Sequence, residues 1–95
     1  MFVGICTLNL GLYDIDSLSE KQRVIKRIIR RTQDRYKISM NETGMLQDLT
    51  CAEIGLAVVG SDQSYLNSLL DRIINHVEDL HIADVRHADF TIDAY

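Results

Sequence analysis

The sequence predicts an α+β fold: a four-stranded antiparallel sheet with two helices on one of its faces. Three observations carry this. Two stretches have helical periodicity and open on capping residues. The segments around them read as strands. Their order, strand–helix–strand–strand–helix–strand, fills the 95 residues without a repeat or a boundary, so residues 1–95 are expected to form one domain.

Residues 2–10, FVGICTLNL, are β-rich and partly alternating. Phe2, Cys6, Leu8 and Leu10 fall on one side, Val3, Ile5, Thr7 and Asn9 on the other, as in a central strand with both faces partly covered. Gly11 and the polar turn Asp14 to Asp16 end it. Ser17-Leu18-Ser19-Glu20 reads as a capping box, with the Ser17 hydroxyl accepting from the Glu20 amide and the Glu20 carboxylate reaching back to the Ser17 amide. A helix is expected from Leu18 to about Asp34. Its apolar stripe is Leu18, Ile25, Ile28, Ile29 and Thr32, with Val24 at the flank. Arg23, Arg27 and Arg30 lie almost opposite, flanked by Lys26 and Arg31. Lys21 points close to the stripe, so its stem is expected to pack while its ammonium reaches the edge.

Tyr36 to Asn41 alternates strictly and predicts a half-exposed edge strand, where Lys37 discourages pairing with other chains. Residues 43–50 read as a polar loop around Gly44 and Asp48. Glu53 to Val59, EIGLAVV, is the most buried-looking strand. Gly60-Ser61-Asp62 stops it and caps a second helix, Asp62 to Asp79. Leu66, Leu69, Leu70, Ile73, Ile74, Val77 and Leu80 give that helix a wide apolar stripe. In residues 81–93 the apolar phase shifts between Val85 and the set Ala88, Phe90 and Ile92. This predicts a bulge, or a break that leaves an extra short C-terminal strand.

The βαββαβ order gives a ferredoxin-like plait, with both helices on one face. Val3, Ile5, Gly55, Ala57 and Val59 then occupy the open face. A small apolar surface of this kind often marks self-association, so Val3, Ile5, Ala57 and Val59 are candidates for a homodimer contact.

Composition narrows the function classes. A hydrophobic content of 46% argues against disorder. The apolar runs are far short of the roughly twenty residues of a membrane span. Met1 to Leu10 lacks the basic start of a secretion signal, and a cytoplasmic chain beginning at Met1 is expected. Cys6 and Cys51 are then expected as reduced, buried thiols, and the C-x₂-C pairs of a zinc site are absent.

Charge is the most informative feature. The net charge is -4, yet residues 20–37 hold eight of the ten cations against Glu20 and Asp34, a local charge of +6. The remaining two cations against twelve acids give -10. Arg23, Lys26, Arg27, Arg30 and Arg31 therefore form a candidate anion- or RNA-binding face. Guanidinium groups fit phosphate oxygens in a bidentate fork, and backbone binding releases counterions. The plainer reading is a solvated helix face. The open sheet face lacks the stacking aromatics of an RNA-recognition plait, because the first strand offers none after Phe2.

Other chemistry is thinly supported. His76 and His81 straddle a helix end. His81 and His87 share a strand face in the predicted pattern, near Asp84 and Asp89, but ordinary surface histidines are the expectation. There is no G-x-S-x-G and no P-loop. The loop from Gly11 to Ser17 lacks the arginine an acylphosphatase requires. Glu42 and Glu53 are placed to meet across neighbouring strands, without a mechanism attached. No catalytic residue, cofactor or metal is expected.

Ser17-Leu18-Ser19-Glu20-Lys21, Arg23-Val24, Lys26 and Arg31, then Tyr36-Lys37-Ile38-Ser39, Glu42, Gln47-Asp48 and Ala52-Glu53-Ile54-Gly55-Leu56-Ala57-Val58-Val59, resemble the small bacterial YlxP-like family over roughly residues 1–80. The resemblance implies a ferredoxin-like domain of unknown function. It also implies a ribosome connection, because the family's genes often lie near those for translation initiation and ribosome maturation factors. Lys37 stands where the family has asparagine, and Leu49-Thr50-Cys51-Ala52 replaces a Trp-Gln-basic segment. The functional expectation is a non-enzymatic binding module for RNA or a ribosomal subunit. Its alternative is a homodimeric protein-interaction module without nucleic-acid binding. Neither involves a membrane.

Overall fold

The computed structural model describes the whole chain, Met1–Tyr95. Its elements are β1 (Phe2–Gly11), α1 (Leu18–Tyr36), β2 (Ser39–Gly44), β3 (Cys51–Gly60), α2 (Gln63–Asp79) and β4 (Asp84–Ala94). The four strands form one sheet in the order β2-β3-β1-β4, with every neighbouring pair antiparallel. This is the ferredoxin-like plait that the element order predicts. No helix is long and apolar enough to cross a membrane.

The core lies between the sheet and the helices. Cys6, Leu8 and Leu10 of β1 and Ala52, Ile54, Leu56 and Val58 of β3 are buried against Ile25 and Ile28 of α1 and Leu66, Leu70, Ile73 and Val77 of α2. The period-two alternation of each strand puts the opposite residues on the open face. Gly4 belongs to the core side. A Cβ there would stand 2.9 Å from Val58 Cγ2 and 3.0 Å from Leu70 Cδ1, so α2 packs directly on bare backbone.

α1 starts as its cap directs. Ser17 is extended and its Oγ accepts from the Glu20 amide at 3.1 Å. The Glu20 carboxylate accepts from the Asp16 amide at 3.1 Å rather than from Ser17. The helix ends two residues later than the sequence predicts. Tyr36 is its last residue, and Lys37 turns left-handed at φ 51° with its N–H bonded to Gln33 O. The Gln33 side chain then donates to Ile38 O at 3.0 Å and fixes the exit. Lys37 is therefore a cap and not a strand residue. The edge strand begins only at Ser39 and runs to Gly44, which leaves residues 45–50 as the loop.

Lys21 departs from its expected position. It is 1% exposed, and its ammonium stays inside. Nζ donates to Met45 O at 2.5 Å and Asp48 O at 2.6 Å and stands 3.3 Å from Glu42 Oε2. The reason is the β2–β3 loop, which turns left-handed at Met45 (φ 57°) and aims two carbonyls down at α1. Asp48 stiffens the same loop, accepting from the Thr50 amide at 2.8 Å and the Thr50 hydroxyl at 2.7 Å. These hydrogen bonds hold its carboxyl below the usual range.

The phase shift near Val85 is a bulge inside one continuous strand, not a break, so no extra strand forms. Asn9 pairs with His87 and Leu10 with Val85, which leaves Arg86 as the inserted residue. Its guanidinium lies over Gly11, so a Cβ there would require the arginine side chain to move aside.

Candidate anion-binding surface

The apolar stripe of α1 decides where its cations go. Ile25, Ile28 and Thr32 are buried, and the opposite side of a 3.6-residue helix faces solvent. Arg23, Lys26, Arg27, Arg30 and Arg31 are all exposed on that side. Their side chains line one shallow, solvent-open hollow of about 360 Å³ on the convex helix face, and no other residue lines it. None is in an ion pair. The lysine and arginine side chains make one salt bridge, Lys21–Glu42, and Asp89 bonds instead to His87. Asp34 sits on the same side, but it forms no ion pair with any of them. Five unpaired cations held close together raise the local potential and favour an anionic partner carrying several charges.

The flanks of this surface are distinct. On one side Lys26 and Arg30 border a groove against β2, together with Ile29, Ser39 and Asn41. On the other, Arg35 lines a cleft of about 230 Å³ with Tyr36 and with Arg72, Asn75, His76 and Asp79 of α2. The Arg35 guanidinium lies 5.5 Å from the Tyr36 ring centre, and Tyr36 meets His76 edge-on at 5.5 Å. His76 is held below the usual histidine pKa by burial and then by Arg35, while Asp79 pulls the other way. Sequence reading missed Arg35 and Arg72 as neighbours because the two helices are far apart in the chain. The i, i+4 series Arg23, Arg27, Arg31, Arg35 was the available signal.

The open sheet face has two characters. Val3 pairs with Val59 and Ile5 with Ala57 in register, so the four named apolar residues form one patch. Val59 is 65% exposed and Ile5 49%. Toward the other end the face is polar, with Asn9, Glu53 and His87 in one row and Thr43 donating to Glu53 Oε2 at 2.9 Å. Glu42 and Glu53 do not meet. Glu42 pairs with Ile54, the neighbour of Glu53, so strand alternation puts the two carboxylates on opposite faces. Glu42 turns to Lys21, and Glu53 faces outward.

The remaining candidates are dispersed. His76 is on α2, His81 is left-handed just beyond it, and His87 on β4 holds Asp89 Oδ2 at 2.7 Å. No three histidine, cysteine, aspartate or glutamate side chains come together to hold a metal ion. Both cysteines are free. Cys6 is in the core, where burial, with a smaller push from Asp89, raises its thiol to about 11. Cys51 is only half-buried and belongs to the open face, so the expectation of two buried thiols fails for it.

Residues 3–90 match the model of the family described as "Protein of unknown function (DUF503)". The chain is also similar to the "Uncharacterized protein YlxP" of Bacillus subtilis (strain 168), with 29% identity over 76 residues that cover 80% of this chain and 83% of that protein.

Proposed function

The chain belongs to the DUF503 family of unknown function, and we propose that it is a non-enzymatic binding module that holds RNA, alone or in a ribosomal subunit, through the outer face of α1. The observation that carries the reading is the set of five exposed, unpaired cations around one hollow, in a chain whose other residues carry a net negative charge. Arginine forks suit phosphate oxygens, and a neutral core stripe on the opposite side leaves the whole outer face free. An enzyme reading has less support, since Glu42 and Glu53 diverge and the histidines are scattered.

The test is binding of the purified protein to labelled bulk RNA and to isolated small ribosomal subunits, at low and moderate salt. Wild type is compared with an Arg27→Glu, Arg30→Glu double variant of intact fold. Binding that disappears in the variant supports the reading; an unchanged affinity in the variant, or no binding by wild type, overturns it.

A second reading rests on the exposure of Val59 and Ile5. Face-to-face pairing of two copies through Val3, Ile5, Ala57 and Val59 buries this patch and leaves α1 on the outside of the pair. It competes with the first only if RNA binding is absent.

A further inference from the structure

The way the cations are spread around α1 says more than their number. At about 100° per residue, Lys26 and Arg31 stand about 140° apart around the helix axis, with Arg30, Arg23 and Arg27, and the single acid Asp34, between them. This spacing puts the two on different shoulders of the helix. Lys26 borders the β2 groove with Ile29 and Ser39. Arg31 lies one turn before Arg35, which lines the α2 cleft. Along the axis, the ridge from Arg23 to Arg35 spans about 18 Å at 1.5 Å per residue.

A single strand has one line of phosphates, and proteins that grip it without sequence preference add aromatic platforms for the bases. The outer face of α1 offers none. Its hollow is lined only by arginine and lysine. The exposed tyrosines Tyr13, Tyr65 and Tyr95 lie on the β1–α1 loop, on α2 and at the C-terminus. A duplex is different, because each groove has a phosphate rail on either side. A convex helix with cations on its crest and on both shoulders reaches both rails at once and reads no base edge. A-form RNA is recognised mainly in this way, by shape and backbone.

We propose that the ligand of α1 is double-stranded RNA, with α1 seated over a groove so that Lys26 meets one phosphate rail and Arg31 the other. This rests on the RNA reading of α1 and narrows it. The binding is indifferent to sequence, and isolated single strands are poor ligands.

The experiment uses the intact protein and three probes at equal salt: a short RNA duplex, one of its strands chosen to be unstructured, and the DNA duplex of the same sequence. Each is titrated with wild type, Lys26→Ala and Arg31→Ala, and the logarithm of affinity is followed against the logarithm of salt. The expected result is that duplex RNA binds roughly tenfold or more tighter than the strand and tighter than the DNA duplex, in keeping with recognition by A-form shape. Both variants weaken duplex binding, each flattening the salt slope by about 0.9. If the strand binds as tightly as the duplex, or if only one of the two variants weakens duplex binding, the two-rail proposal is wrong while the RNA reading stands; if the DNA duplex matches the RNA, the helix grips any pair of phosphate rails and the assignment to double-stranded RNA is wrong. If none of the three probes binds, the RNA reading itself falls.

Discussion

Lys21 Nζ donates to the carbonyl oxygen of Asp48 at 2.6 Å from beneath the β2–β3 loop, joining the first turn of α1 to a residue 27 positions later. The same ammonium takes Met45 O and stands 3.3 Å from Glu42 Oε2, so one charge satisfies two carbonyls and balances a carboxylate to which it makes no hydrogen bond. This lysine is a structural tie and is not part of the basic surface.

Lys21→Met keeps the length of the side chain and removes the charge. It leaves the Met45 and Asp48 carbonyls and Glu42 without their partner. The expected cost is about 2–4 kcal/mol in urea unfolding, the usual scale for breaking a partly buried polar group of this kind. Faster hydrogen exchange at the Asp48 amide, which bonds to Met45 O, marks the loop as the site of damage. Stability within experimental error of wild type contradicts the assignment.

Gly4→Ala forces a methyl group against Val58 and Leu70, both inside the core. Overpacking of this kind costs about 1–3 kcal/mol. Denaturant unfolding checks the size. An equally stable variant means that α2 yields at no cost.

The two cysteines separate by reactivity. Cys6 is in the core with its thiol raised to about 11, while Cys51 is half-buried. Iodoacetamide on the native protein is expected to modify Cys51 alone, and both only in urea, as read by mass spectrometry. Modification of native Cys6 at a comparable rate contradicts the packing.

His76 makes stability depend on pH. Its folded pKa lies below the ordinary 6.5, so the unfolded chain binds the proton first as pH falls. The sign follows: its contribution is complete above 6.5 and is lost as pH drops from there through the folded-state value. Unfolding curves at neutral and mildly acid pH are expected to differ more for wild type than for His76→Gln. Equal differences remove His76 as the cause.

Much of this was legible in the chain because it depends on local periodicity. The stripe of α1, the alternation of β1 and β3 and the phase slip at Arg86 are all visible within a few residues. The plait follows from their order. What stayed hidden depends on residues that are distant in sequence. Lys21 is buried because a loop beyond β2 turns its carbonyls onto it, and no local pattern announces that. Lys37 ends α1 in a left-handed cap with no glycine to mark it, so helix and strand boundaries shifted together. Glu42 and Glu53 were placed on adjoining strands, but their faces depend on a register that only the pairing shows. The basic face itself was readable, since its five residues share one side of one helix. Its neighbours Arg72 and His76 come from α2 and were not.

The most direct test of the central claim is the salt slope of RNA binding for wild type and for the Arg27→Gln, Arg30→Gln variant, which neutralises two crest cations without reversing them. Both positions are exposed, so stability is expected to change by no more than about 0.5 kcal/mol each. If α1 holds phosphates, the variant binds more weakly and its slope is shallower by about 1.8 on a duplex, or about 1.4 on a single strand. An unchanged slope and affinity mean that RNA does not touch this face and that the account of α1 is wrong.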